Sequence, residues 1–331
     1  MNEQAVPSGT SPVDTTESVG RSDPWLRRYR LAAIVSTGGA VFLTIAGGVV
    51  RLTGSGLGCD DWPACNEERF IDVSSGHAAI EQINRLFSGF IGVPVLLLLV
   101  FSFMAKGRPG LRWPAIGVFL TVVANAVVGG TAVRGDLHPA LVQSHFLLAM
   151  ASISFGMVAV ARSGSRPVET SARRGLTSLV ALALTVLTAG ALATGTVVTG
   201  TGPHAGDEEA RRFGFDISAV AEVHSVTALL TIGVALFFAY QVGRVTPSKV
   251  LSGAISSWLF VGLLQGAIGY AQYFSGVPEM LVGIHIALAT FLWVLTMRLL
   301  LRTLTPPVAV GPVGPTGDAD ERSPADLVAH D

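Results

Sequence analysis

Histidine is the residue type with the clearest chemistry in this chain, because three of its seven copies fall near the ends of long apolar segments. His145, His224 and His285 stand at ends that the charge pattern assigns to the outer face. Facing imidazoles on two helices of a bundle commonly hold haem iron. Metal-binding groups within membrane helices are costly, so they are functional candidates by default. His224 and His285 fall in one half of the chain and predict an iron site with two axial histidines. Core packing is the alternative role for a single histidine.

An internal repeat relates these histidines to one another. The segment GGVVRLTG at 47–54 resembles GTVVTGTG at 195–202, an offset of 148 residues. The segment ending in LVQSH at 125–145 resembles the segment ending in LVGIH at 265–285, an offset of 140 residues. His145 and His285 are therefore equivalent, whereas the position equivalent to His224 carries Asn84. A duplicated bundle with histidines at equivalent helix ends predicts a haem protein with two related sites.

The other four histidines give weaker signals. His77 precedes Glu81 by four residues and faces the same site if that segment is helical. His138 lies in the LHP of a loop and is predicted to be solvated. His204, in GPH, and His330, in the C-terminal tail, are predicted to be surface residues.

Glu81 and Asn84 are three residues apart and therefore share a helix face. Three roles fit the acid from the residues alone: a proton acceptor, an electrostatic group that faces the haem, or a carboxylate favoured by a helix N-terminus.

Cys59 and Cys65 are the only cysteines, and both lie in the first outer loop, in GLGCDDWPAC. A disulfide is the simplest state on an oxidising side. Two unpaired thiols and a redox-active pair are the alternatives.

Composition predicts the elements that position these residues. The chain has 331 residues, of which 50% are hydrophobic and 14% are charged, against about a quarter charged in average soluble chains. Apolar runs of about 18 residues or more are long enough to cross a bilayer as helices. The sequence predicts eight such helices, at roughly 32–51, 86–105, 113–134, 140–161, 176–199, 219–240, 251–273 and 280–300.

The basic residues predict the orientation of these helices. Sixteen of the 22 Lys and Arg residues fall at the tails and at alternate connections, and the positive-inside rule assigns that side to the cytoplasm. The other side keeps Arg51, Arg69, Arg85, Arg134, Arg211 and Arg212. The prediction is a multi-pass protein of the cell membrane with both termini cytoplasmic and the haem sites toward the outer face. The net charge of -1 does not favour a nucleic-acid partner.

The predicted fold class is an all-α integral membrane protein built from two pseudo-twofold-related bundles of four helices. Residues 25–165 form the N-terminal half and residues 166–304 form the C-terminal half, each with one of the two related haem sites. An even number of helices in each half makes the repeat parallel. Residues 1–24 and 305–331 are rich in polar residues, Gly and Pro and are predicted to be disordered cytoplasmic tails.

Six motifs in this order resemble the haem A synthase family over about residues 30–300. They are GGVVRLTGSGLGCDDWPAC, IEQINR, GGTAVRGDLHPALVQSH, GTVVTGTGPHAGD, AEVHS and LVGIH. The resemblance implies a membrane enzyme that oxidises the C8 methyl of haem O to a formyl group by successive hydroxylations, making haem A for terminal oxidases. It implies a b-type haem between His224 and His285 in the C-terminal half. The family's loop cysteine pair maps onto Cys59 and Cys65.

The same resemblance assigns the N-terminal half to haem O. The family motif E-x-x-H-R matches Glu81 to Arg85, and the family's catalytically important glutamate maps onto Glu81. A histidine at the mouth of helix four matches His145. This chain departs from the family at Asn84, which stands where the motif has histidine. Ligation of the substrate haem by two histidines is therefore not expected here.

The chemistry fits one complete and one incomplete iron site. No side chain can oxidise a methyl C–H bond, so iron or oxygen must supply the oxidising power. An open axial position on the substrate iron would allow oxygen chemistry, whereas a bis-histidine haem suits electron transfer. Arg51, Arg85 and Arg134 are predicted partners of the haem propionates, because Arg suits bidentate carboxylate contacts. Anchoring at the membrane interface is their alternative role.

Two other functions fit parts of the pattern. A b-type cytochrome electron carrier usually stacks haems across both leaflets with two histidines on each ligating helix, whereas the histidines here lie on one side. A haem transporter would show broken helices and polar residues at the midplane. The partners predicted for the synthase are haem O, the haem O synthase, an electron-transfer protein, membrane lipid and a second copy of the chain.

Overall fold

The computed structural model describes residues 23–105, 110–164, 175–204, 206–208, 210–244 and 247–304. Over these residues the chain forms eight helices: α1 (Pro24–Leu52), α2 (Gly76–Met104), α3 (Arg112–Arg134), α4 (Pro139–Arg162), α5 (Leu176–Thr201), α6 (Ile217–Arg244), α7 (Lys249–Phe274) and α8 (Glu279–Thr303). Each of the eight is long and apolar enough to span a membrane. The predicted all-α membrane fold with eight spans is confirmed. The predicted tails lie, apart from residues 23 and 24, outside the described residues.

Two helices begin well before the predicted residue, because a polar cap starts each one. The carboxylate of Asp23 accepts a hydrogen bond from the backbone N–H of Trp25 at 2.9 Å, with Pro24 in the first turn. The Ser75 hydroxyl accepts one from Ala78 N–H at 3.1 Å, so α2 begins at Gly76 rather than near residue 86. Hydropathy misses such starts because the first turns are polar. Glu81 therefore lies within α2 and not in a loop.

The helix contacts are symmetric between the two halves. In the first half α1 packs on α2 and α4, and α3 packs on α2 and α4. In the second half α5 packs on α6 and α8, and α7 packs on α6 and α8. Between the halves α1 meets α8, α4 meets α5, and α4 meets α8. Exchanging the halves maps this set of contacts onto itself, which is consistent with the predicted pseudo-twofold relation.

An apolar core closes the same end of each half. In the first half it includes Tyr29 and Leu98, and in the second it includes Phe238 and Trp258. Both clusters lie at the helix ends that carry most of the basic residues. The histidines and glycines of the repeat lie toward the opposite ends of the helices. Packing of apolar side chains thus fixes one end of each bundle and leaves the other end for polar groups.

The turns that enter α4 and α8 share an unusual backbone. Leu137 and Val277 are equivalent in the repeat and have φ angles of 51° and 60°. The preceding residues, Asp136 and Gly276, are also left-handed, with φ of 52° and 79°. Left-handed backbone is costly for a branched residue such as valine. The two copies therefore keep the same tight entry to the helix that carries a histidine.

Candidate functional site

His224 of α6 and His285 of α8 face each other in the second half. Their ring centroids are 6.3 Å apart and the rings are inclined by 76°. Two imidazoles that bind one metal ion from opposite sides, with metal–nitrogen bonds of about 2.0 Å, have centroids roughly 6 Å apart. The spacing therefore fits an iron held between the two rings.

The Nδ1 atoms of His224 and His145 are engaged in a way that leaves Nε2 for a metal. Nδ1 of His145 donates to the Asn125 carbonyl at 3.0 Å. Nδ1 of His224 lies 3.1 Å from the hydroxyl of Thr194, which itself donates to the Gly190 carbonyl. That hydroxyl can then only accept from His224. In a neutral imidazole that donates through Nδ1, Nε2 carries the lone pair that binds a metal.

His285 is the repeat equivalent of His145 and differs from it in its hydrogen bonds. Its Nδ1 is buried and has no hydrogen-bond partner, while its backbone carbonyl accepts from the Gln265 side chain at 3.0 Å. Gln265 is the repeat equivalent of Asn125. Both halves thus place an amide residue of the preceding helix beside the histidine of α4 or α8.

Each histidine ring rests against a glycine of a neighbouring helix. A Cβ atom at Gly129 would lie 2.8 Å from His145, one at Gly195 would lie 3.0 Å from His224, and one at Gly269 would lie 3.1 Å from His285. Such distances are tighter than ordinary contacts, so these positions need glycine to keep the rings where they are. The three glycines lie within the repeated motifs, so the repeat marks them in the sequence. Their contact with the histidine rings is visible only in the packed helices.

The fourth equivalent position, in the first half, has no such contact between a glycine and a histidine ring. Gly47 is the repeat equivalent of Gly195, and a Cβ atom there would meet no atom within 4 Å. Asn84 stands where the second half has His224, and its side-chain oxygen is buried without a hydrogen-bond partner. At this position the first half therefore lacks the second histidine that the other half has.

Glu81 is buried in α2, with 5% of its area exposed. One carboxylate oxygen accepts from the backbone N–H of Cys59 at 2.7 Å, and the other accepts from the Arg85 guanidinium at 2.6 and 3.1 Å. Glu81 lies beyond the first turn of α2, which contains no acid. Its charge is therefore balanced by the loop and by Arg85, and the helix-terminus role considered from the sequence is not the one observed.

The first outer loop is fixed onto this carboxylate. Cys59 and Cys65 form a disulfide, which confirms the pairing and excludes two free thiols. Arg85 also donates to the carbonyls of Asp61 and Ala64, at 2.8 and 3.1 Å. The loop between the cysteines is thus held by the same guanidinium that pairs with Glu81.

Helix α3 holds the other side of this loop. Arg134 donates to the Asp61 carboxylate at 3.1 Å and to the Trp62 carbonyl. The backbone N–H of Trp62 and the guanidinium of Arg134 hold the pKa of Asp61 below its ordinary value, so this carboxyl stays ionised. The Trp62 ring lies against Gly130, next to the glycine that contacts His145. The loop therefore bridges α2 and α3 at the end of the bundle where His145 lies.

Arg51 lies at the boundary between the halves. Its guanidinium donates to the carbonyls of Thr199 and His204 at 2.9 and 2.6 Å. Arg51 and Thr199 are equivalent in the repeat, so this bond joins equivalent points of α1 and α5. Arg85 and Arg134 have carboxylate partners, whereas Arg51 has none within 4 Å among the described residues. Pairing of the three arginines with propionates stays a prediction.

Three histidines lie apart from the paired rings. His77 is exposed, and its Nδ1 lies 3.0 Å from the Ser55 hydroxyl. His138 is exposed and caps α4, as expected for a loop residue. His204 is not the surface residue that was predicted: it is half-buried and donates through Nε2 to the Val277 carbonyl at 2.8 Å. His330 lies outside the described residues.

A cavity of about 280 Å³ lies between α4, α5 and α8. Its lining is mostly apolar and includes Met150, Leu192 and Trp293. The Trp293 indole donates to the Met150 carbonyl and the Ser154 hydroxyl, both at 3.0 Å. None of the candidate histidines lines this cavity, so it is distinct from the sites described above.

Comparison with known proteins gives the family. The profile of a family described as cytochrome oxidase assembly protein, COX15-CtaA, matches residues 30–82 and 70–297. The heme A synthase of Geobacillus kaustophilus is 31% identical over 134 residues, and that of Bacillus cereus strain AH187 is 34% identical over 134 residues. The matched segment covers 40% of this chain and 42% of each of these relatives. The profile covers most of the chain, including Asn84 and the three histidines at the equivalent helix ends. The protein therefore belongs to the COX15-CtaA family of cytochrome oxidase assembly proteins.

Proposed function

We propose that this protein is a haem A synthase, which oxidises the C8 methyl of haem O to a formyl group by successive hydroxylations. Family membership and the relatives named heme A synthase support the haem substrate. The observation that carries the proposal is the facing pair His224 and His285, with centroids 6.3 Å apart. A half-buried pair of facing imidazoles suits an iron porphyrin as resident cofactor.

His224 and His285 would hold haem b through their Nε2 atoms. The bound haem would supply one-electron transfer, the chemistry that suits a haem held by two histidines. Thr194 orients the His224 ring, and Gly195 and Gly269 give both rings room to approach the same point. These residues bind and orient, and none of them reacts.

The first half would receive haem O with His145 as its protein ligand. Asn125 fixes the ring of His145, and Gly129 lies against it. Glu81 is the only buried carboxylate among the described residues. Held by Cys59 and Arg85, it would move a proton or stabilise positive charge at the C8 carbon. The loop between the cysteines would shield that carbon from water.

The direct test is product analysis. Membranes that contain this chain and a haem O source should yield haem A on pigment extraction, while membranes without the chain should yield haem O alone. A purified protein that carries haem at His224 and His285 but leaves haem O unchanged would contradict the proposal. That outcome would favour the second candidate, a b-type electron carrier without catalysis, which the bis-imidazole pair alone also supports.

The ligands of haem b are tested separately by spectroscopy. His224→Ala and His285→Ala should each abolish the low-spin b-type spectrum of the purified protein, because the iron would keep one axial ligand. His138→Ala is the matched control, since that imidazole is exposed and caps a helix. If both alanine variants keep an unaltered low-spin spectrum, the ligand assignment is wrong.

The proposal also covers location and partners. The protein is a multi-pass membrane protein. We place it in the cell membrane, with both termini in the cytoplasm and both haem sites toward the outer face. The haem O synthase and an electron-transfer protein are its proposed partners.

A further inference from the structure

The ring of His285 lacks the hydrogen bond that a metal ligand normally makes through its second nitrogen. When Nε2 of a neutral imidazole binds a metal, Nδ1 carries the hydrogen and donates it to a neighbouring acceptor. Nδ1 of His145 and Nδ1 of His224 each have such an acceptor. Nδ1 of His285 is buried without one in the part of the chain that the structure describes, although buried polar atoms are nearly always paired.

An unpartnered acceptor belongs to a residue that already contacts His285. The Gln265 side chain donates through Nε2 to the His285 carbonyl at 3.0 Å. Its Oε1 atom is buried and has no hydrogen-bond partner among the described residues. The backbone carbonyl of Gln265 lies beside the same ring, outside the geometry of a full hydrogen bond. Two contacting residues thus hold one buried donor and one buried acceptor that are chemically complementary.

The equivalent pair in the first half shows why the second half needs a side-chain acceptor. There Nδ1 of His145 donates to the backbone carbonyl of Asn125 at 3.0 Å. The Cβ positions of the equivalent glycines Gly129 and Gly269 lie 3.1 Å from Nδ1 of His145 but 3.7 Å from Nδ1 of His285. The His285 ring therefore stands farther from the glycine of the preceding helix. The residue equivalent to Asn125 is a glutamine, whose side chain is longer by one methylene group.

We propose that Gln265 is a positioning residue for the haem b ligand. When iron is held between His224 and His285, Oε1 of Gln265 accepts the hydrogen bond from Nδ1 of His285, while Nε2 keeps its bond to the carbonyl of the same residue. One amide then fixes both the backbone and the ring of this ligand. The inference rests on the proposed function, because it requires a haem between the two histidines. It goes further in assigning the group that orients His285 and sets its strength as a ligand.

The hydrogen bond has a consequence for the iron. An acceptor on Nδ1 raises the basicity of the imidazole, and a more basic ligand stabilises ferric iron more than ferrous iron. The acceptor therefore lowers the reduction potential of haem b. Its removal should raise that potential, which is a readout independent of the formation of haem A.

Gln265→Leu tests the proposal, because it removes the amide and keeps a side chain of similar size. In the purified full-length protein the reduction potential of the low-spin haem b should rise. The affinity for haem b should fall about tenfold, the lower end of effects seen when the support of a ligand is altered. Gln265→Glu supplies a stronger acceptor, so its reduction potential should lie below that of the unsubstituted protein. Potentiometric and haem titrations measure both quantities.

Gln272→Leu is the matched control on the same helix. The side-chain oxygen of Gln272 is also buried without a partner among the described residues. The residue lies seven positions beyond Gln265, about two helical turns away. This substitution should leave the reduction potential of haem b unchanged. A rise equal to that of Gln265→Leu would mean that the loss of any amide from α7 moves the potential, and would overturn the assignment.

The outcomes separate this inference from the proposed function. An unchanged reduction potential in Gln265→Leu would overturn the inference alone and assign the acceptor role to the Gln265 backbone carbonyl, which that substitution retains. Shifts of the same sign in Gln265→Leu and Gln265→Glu would overturn it as well, because they would indicate a loosened site and not a hydrogen bond. An unsubstituted protein that binds no low-spin haem between His224 and His285 would contradict the proposed function instead.

Discussion

Glu81, a buried carboxylate, connects the outer loop to the second helix. It accepts hydrogen bonds from the Cys59 backbone and from Arg85, and Arg85 in turn holds two loop carbonyls. Charge-assisted bonds of this kind are short and strong. The position of Glu81 therefore depends on the loop, and the loop depends on Arg85. A catalytic and a positioning role for Glu81 need separate readouts.

Glu81→Gln keeps the size and polarity of the side chain but removes its charge and its basicity. The formation of haem A should fall by about 10²–10⁴-fold, the usual contribution of a general acid–base group. Binding of haem O and the haem b spectrum should be retained. Extracted pigments would be measured against Glu68→Gln, which changes an exposed acid of the first outer loop. A loss well under tenfold would make Glu81 structural.

The sequence identified the residue types at the site but not all of their relations. The repeat predicted which histidines are equivalent, and it located Asn84 as the exception. It did not predict the glycines that contact each ring, because a Cβ clash appears only when the helices are packed. It also placed His204 at the surface, since nothing in GPH indicates that Val277, seventy-three residues away, supplies its acceptor.

At the scale of the helices, paired glycines in the repeat offer a matched test of the ligand geometry. Gly195→Ala should displace the His224 ring, since its Cβ would lie 3.0 Å from that ring. We expect the affinity for haem b to fall roughly tenfold, the lower end of effects seen when a ligand's support is altered. Gly47→Ala adds the same methyl group to the equivalent helix, where nothing lies within 4 Å. Haem titration of both variants checks this. Equal losses would mean that alanine acts through the helix and not through the ring.

The left-handed turns before α4 and α8 give a second matched pair. Val277→Asn should raise the unfolding temperature in detergent, because asparagine tolerates left-handed backbone and relieves up to about 1 kcal/mol of strain. Leu137→Asn should lower it, because Leu137 is 8% exposed and losing its burial costs about 1.5–3 kcal/mol. A lower unfolding temperature in both variants would show that backbone strain does not decide stability at these turns.

Helix existence was predictable and helix starts were not. Long apolar runs specify a membrane helix whatever its neighbours are. The start of α2 depends instead on the Ser75 cap and on the burial of polar residues such as Glu81 under the outer loop. Hydropathy counts those residues against a helix, although the loop supplies their partners.

For the whole molecule, the basic residues predict which side of the membrane each connection occupies. The helix ends that carry most of the Lys and Arg also carry the two apolar cores. A reporter enzyme that works only outside the cytoplasm should be active when inserted between Leu52 and Gly76, and inactive when fused after Asp331. The reverse result would invert the proposed orientation and place both haem sites toward the cytoplasm.

The symmetry that relates the two halves was predictable from the sequence, but the helices that form their boundary were not. The parallel repeat predicted a pseudo-twofold relation. The boundary helices are selected by side-chain contacts that a hydrophobic periodicity does not predict. One example is the hydrogen bond that Trp293 of α8 donates to the Met150 carbonyl of α4. The Arg51 bond to Thr199 belongs to the same boundary.

The disulfide between Cys59 and Cys65 gives the two halves different histories during biosynthesis. Helices can insert and pack as the chain is made, whereas a disulfide forms only after its loop has reached an oxidant. The backbone N–H of Cys59 donates to Glu81, so the disulfide closes the loop that carries a partner of this carboxylate. His224 and His285, the proposed haem b ligands, lie on helices that no disulfide joins. Under the proposed function, the haem b site can therefore form on a newly inserted chain before the loop over Glu81 is closed.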